Sequence, residues 1–220
     1  MAILFFAYLG ILLVNSVMGV VNYKKLSAPI RGLTHVILIT LISEMTAEYL
    51  SYKKNNNSEV YHFYVIISFW LYFLIYYNLF KSIRLKLIFF NLAILFTIFC
   101  VINSLFYEKL DNIPSINLML NNVFLVILSL FCFKNLIDQN PFEDIRGNSF
   151  FWLNTSVLVY YTLQIFSWGI MNYLIKAHKN VMPLIIFGIF LSIIYYIALG
   201  VAILLDTKKS SLRANSHEQS

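Results

Sequence analysis

Charged residues are scarce in this chain. Asp, Glu, Lys and Arg make up 12% of its 220 residues, about half the roughly 25% carried by soluble domains. A globular surface of this size could not be covered with water-compatible groups from such a supply, which excludes an ordinary soluble enzyme or binding domain. Cysteine occurs twice and histidine four times. Cys100 and Cys132 fall in separate apolar segments at depths that differ by roughly 13 Å, beyond disulfide reach, so both are expected to be small buried hydrophobes. His35, His62, His178 and His217 are scattered, leaving no clustered ligand set of the zinc-hydrolase kind. Glycine and proline are also rare, at 7 and 4 residues. Pro29, Gly32, Pro141 and Gly147 are expected in loops, with Pro114 just ahead of a helix and Pro183 in the first turn of another. There is no Gly-rich phosphate loop and no nucleophile elbow. Nor does the last apolar segment hold a lysine that could form a retinal Schiff base.

What fills the chain instead is hydrophobic sequence, 60% of all residues. It is arranged as seven long apolar segments at 2–22, 33–51, 60–80, 86–107, 117–137, 150–175 and 181–205. About 20 apolar residues carry an α-helix across a bilayer core. The expected fold is therefore all-α, a polytopic integral membrane protein with seven transmembrane helices in a single domain over 1–205. A short polar tail, 206–220, is expected to be disordered. The first segment has no basic n-region and no A-x-A-like cleavage site, so it reads as a retained helix and not a signal peptide.

Lys and Arg set the orientation. Alternate loops and the tail hold Lys24, Lys25, Arg31, Lys81, Arg84, Lys86, Lys134, Arg146, Lys208, Lys209 and Arg213, whereas the opposite side holds Lys53, Lys54, Lys109, Lys176 and Lys179. Cytoplasmic loops are the richer ones. This places the C-terminus in the cytoplasm and the N-terminus outside a cell inner (plasma) membrane. The net charge of +6 is thereby accounted for as topology and lipid headgroup contact, with no nucleic-acid partner implied.

Ionisable side chains within membrane helices point to function, because each is costly to insert. The second helix has two, Glu44 and Glu48, about 3 Å and 9 Å outward of the midplane. At i, i+4 they share one face with Thr40, and carboxylates about 6 Å apart in a low dielectric disfavour each other's ionisation. The competing expectation is that Glu44 is a packing residue and Glu48 reaches towards Lys53 and Lys54. His62 starts the third helix at nearly the depth of Glu48, so a Glu48–His62 contact is expected. Gln164, Trp168 and Asn172 on the sixth helix, Asn103 and Asn121, and the rings of Tyr49, Tyr64 and Tyr161 complete an expected polar pocket open to the outside. Ordinary interhelical hydrogen bonding, about 0.6 kcal/mol each, is the competing role for each Asn. Gly188 and Ser192 form a small-xxx-small pair suited to close helix approach, inside the bundle or in a dimer.

The loop FKNLIDQNPFEDIRGNS is the longest, and its Phe142, Glu143, Asp144 and Arg146 are the candidate partner-docking residues. In outline the chain resembles small seven-helix bacterial inner-membrane proteins, some of them like detached sensor modules. The functional expectation is a sensory or accessory membrane protein that binds a small or amphipathic ligand in the outer pocket. With no output domain in view, it would act through a cytoplasmic or membrane signalling partner, alone or as a homo-oligomer. A small transporter or channel subunit using Glu44 and Glu48 for a proton or cation is the alternative, and a membrane enzyme acting on lipid the next. No catalytic set, metal site or cofactor is called for.

Overall fold

A computed structural model describes residues 2–54, 56–80, 82–139 and 147–218. Among them are seven α-helices and no strand: α1 (Ala2–Val21), α2 (Ala28–Lys54), α3 (Ser58–Tyr77), α4 (Ile83–Phe106), α5 (Ser115–Gln139), α6 (Ser149–Lys176) and α7 (Met182–Glu218). A 3-10 turn, Tyr23–Lys25, links α1 to α2. Helices are what such sequence must form in lipid, where every backbone N–H and C=O has to be satisfied within its own segment. Six of the described helices are long and apolar enough to cross a membrane, which marks a multi-pass membrane protein. The exception is α6, whose apolar residues are diluted by Asn154, Thr155, Ser156 and Gln164; it is flanked by α5 and α7.

The helix ends have local causes. The Asn148 side chain accepts from the Phe150 N–H at 2.9 Å and starts α6. At the other end of α6, His178 adopts a left-handed φ of 52°, and the Lys179 N–H reaches back to the Leu174 carbonyl at 2.9 Å, the pattern of a Schellman C-terminus.

Six helices close a ring in the order α1, α2, α3, α5, α6, α7, with α7 returning to α1. α4 leans on this ring from outside through Phe96 against Phe69 of α3, 4.4 Å between ring centroids, and Phe89 against Phe131 of α5 at 5.4 Å. Its outward residues, among them Leu87, Ile94, Leu95, Ile98 and Leu105, are exposed as lipid-facing side chains should be. The half of the ring towards the end of α3 is packed with aromatic side chains, including buried Phe69, Tyr72, Phe73 and Tyr76 of α3. The half towards the start of α1 holds a cavity.

The structure corrects two expectations about small residues. Pro29 and Gly32 lie within α2, which starts at Ala28. Pro29 is tolerated in the first turn, and Gly32 lets Ile75 of α3 come so close that an added Cβ would meet Ile75 Cγ1 at 2.7 Å. Within the bundle Gly188 makes no close helix approach, since a Cβ there would meet nothing within 4 Å. α7 runs without glycine or proline from Leu205 on to Glu218.

Candidate ligand-binding cavity

The face of α2 that carries Thr40, Glu44, Ala47 and Glu48 turns into the ring, where it lines a cavity of about 740 Å³. Four-residue spacing puts Thr40, Glu44 and Glu48 one above another. α1 contributes Tyr8, α3 Tyr61 and Tyr64, α5 Asn121 and Asn122, α6 Tyr160, Tyr161, Gln164 and Trp168, and α7 Gly188, Ser192 and Tyr196. The cavity occupies the half of the bundle that the Lys/Arg asymmetry assigns to the outside.

Hydrogen bonds fix this lining from several helices. Tyr8 donates its hydroxyl to Glu44 Oε1 at 3.1 Å. The Thr40 and Tyr64 hydroxyls are paired at 3.0 Å, and those of Tyr160 and Ser192 at 3.1 Å. Below them Tyr72 and Tyr195 are hydrogen-bonded to each other, and Tyr195 stacks on Tyr160 with 4.2 Å between centroids. Two side chains of α5 are less well provided. Asn121 Oδ1 and Asn122 Nδ2 have no hydrogen-bond partner, although their residues are only 4% and 3% exposed.

Of the residues singled out from the sequence, Glu44, Glu48, Gln164 and Trp168 share this wall. Among the described residues Glu48 forms no ion pair with the lysines of its own helix end. Lys53 sits over the ring of Tyr49 at 5.0 Å, and Lys54 pairs with Glu59 at 3.8 Å. His62 is elsewhere, and the Glu48–His62 contact is not formed. Its Nδ1 lies 2.7 Å from Ser104 Oγ and its Nε2 2.9 Å from the Asn112 carbonyl, so it ties α3 to α4 and to the loop before α5. Asn103 belongs to the same tie, donating to Glu108 at 2.7 Å and to Asn117 at 3.1 Å. Tyr49 is 55% exposed and stands outside the cavity. The Asn172 side chain lies outside the described residues, as do Phe142, Glu143, Asp144 and Arg146.

Two features are absent from the sequence reading. Tyr8 looked like one more apolar residue of α1, and nothing in a single segment signals that its hydroxyl meets a carboxyl 36 positions later. Asp206 looked like the start of the tail. It is 6% exposed and accepts from the Ser27 N–H at 2.6 Å and the Ser149 hydroxyl at 2.9 Å, so it clasps α7 to the starts of α2 and α6. Its position directly after an apolar run was the only available signal. The helices that line the cavity with Glu44 and Tyr196 are thus joined again at the opposite end of the bundle.

Chemically, the cavity offers two carboxyls, several hydroxyls and amides, and many aromatic faces. Such a mixture of apolar walls with a few polar groups is how small-molecule sites are built. No protein-family model matches the chain, and no curated protein or solved structure is significantly similar to it.

Proposed function

We propose that this is a multi-pass protein of the cell inner (plasma) membrane, with its C-terminus in the cytoplasm, that binds a small amphipathic molecule in the outer cavity and signals through a separate partner protein. The observation that carries this reading is the cavity itself: about 740 Å³ left open inside an otherwise packed bundle, with Glu44 and Glu48 on its wall. Evolution of a merely structural bundle would favour filling such a space, because unfilled volume forfeits packing. Phe5, Leu184 and Ile185 supply an apolar flank between α1 and α7, which suits the hydrocarbon part of an amphipathic molecule. The signal has a physical route. α2 and α7 both border the ligand, and Asp206 and Ser27 couple their opposite ends. α7 then runs on as helix to Glu218. At 1.5 Å per residue a helix of its 37 residues spans about 55 Å, well beyond a hydrocarbon core of about 30 Å.

The test is affinity purification from native membranes in a gentle detergent, followed by mass spectrometry of co-purifying small molecules and proteins. Wild type is compared with Gly188→Phe, which places a ring in the cavity. A bound molecule lost from the variant, together with a stoichiometric protein partner, is the expected result. A chain that carries neither would overturn the reading.

A further inference from the structure

The charge balance of the cavity narrows the class of molecule that fits it. Among the described residues Glu44 receives one hydrogen bond, from Tyr8. Among the described residues no Lys, Arg or His lines the cavity, and the cations at the end of α2 are engaged with Tyr49 and Glu59. Two carboxyls one helical turn apart therefore face a space with no counter-charge. A bound anion would meet like charge, whereas a bound cation would supply what is missing.

A second observation, independent of the carboxyls, also looks for a donor. Asn121 Oδ1 is a buried acceptor without a partner, on the wall that α5 contributes. Buried polar atoms are normally satisfied, so this acceptor, sealed from the open space as it stands, becomes available to a ligand's N–H or O–H on a turn of the Asn121 side chain. The rings of Tyr61, Tyr64, Tyr160 and Trp168 add π-faces, which attract ammonium groups within about 6 Å. A divalent metal ion fits less well. Calcium takes about 6–8 oxygen ligands, whereas the carboxyls here come from one helix and stand among aromatic rings.

Building on the reading that this cavity binds a small amphipathic molecule, we infer that it takes an organic cation: an ammonium-bearing compound with an apolar body, its charged head at Glu44 and Glu48.

Three probes with a common body test the assignment: phenylbutylamine, phenylbutanol and phenylbutyrate, titrated calorimetrically into the purified full chain in a nonionic detergent. The amine is expected to bind at least about tenfold more tightly than the alcohol, with the butyrate weakest. The double variant Glu44→Gln, Glu48→Gln is expected to lose the preference for the amine over the alcohol. If that variant does not fold, Glu48→Gln alone is expected to reduce the preference. Alcohol or butyrate binding as tightly as amine to the wild type would overturn the cation assignment and leave the cavity reading standing. So would a preference that survives in a folded carboxamide variant. Failure of all three probes to bind would overturn both.

Discussion

The carboxylate of Asp206, on α7, accepts the backbone N–H of Ser27, at the start of α2, across 2.6 Å. The first N–H groups of a helix have no partner within it and carry partial positive charge, so a carboxylate there is doubly favourable. Its other oxygen takes the buried Ser149 hydroxyl. Asp206→Ala should strand both donors, and an orphaned buried donor costs about 1–3 kcal/mol. We expect a stability loss of that size for alanine and a smaller one for Asp206→Asn, which keeps one acceptor. Unfolding of purified protein in mixed micelles would show the order; equal stability of all three would contradict it.

His62 should behave as a structural tie. Removing its contacts with Ser104 and the Asn112 carbonyl by His62→Ala is expected to lower stability by about 1–3 kcal/mol. Affinity for a cavity ligand should stay within about twofold of wild type, as expected for a residue outside the cavity lining. Parallel thermal melts and ligand titrations separate the two effects, and a selective loss of affinity would return His62 to the site.

Glu108 organises the start of α5. It accepts from the Asn103 amide at 2.7 Å, the Ser115 hydroxyl at 2.6 Å and the Ile116 N–H at 3.1 Å. Glu108→Ala is expected to speed amide hydrogen exchange in the first turn of α5 while leaving the middle of that helix protected. Peptide-resolved exchange mass spectrometry reads this directly.

Two glycines of α7 should respond in opposite ways. An added Cβ at Gly200 would meet Asn15 Oδ1 at 2.6 Å, and Asn15 also donates to the Tyr196 carbonyl at 2.6 Å. Gly200→Leu is therefore expected to destabilise by about 1–3 kcal/mol through overpacking. Gly188 borders open space, so Gly188→Phe should leave the melting temperature within a few degrees of wild type and abolish ligand binding.

Hydrophobic run length determined the helical fold and helix number, because a bilayer accepts continuous backbone hydrogen bonding and little else. The i, i+4 spacing of Glu44 and Glu48 likewise marked one polar stripe on α2 before any packing was known. Interhelical partners were a different matter. His62 has the depth to meet Glu48 but is rotated towards Ser104, and rotation about a helix axis depends on which neighbours the helix packs against. α4, equally apolar on all sides, gave no sign that it would stand outside the ring. Gly188 and Gly200 are the same residue on one helix, yet one borders empty space and the other a buried amide. From its sequence alone this protein was a seven-helix membrane bundle with a carboxyl pair on the second helix. Only the tertiary structure decided that the pair faces a cavity with Tyr8 and Asn121, and that Asp206 ties α7 to the starts of α2 and α6, because such contacts join residues whose separation along the chain carries no periodic signal.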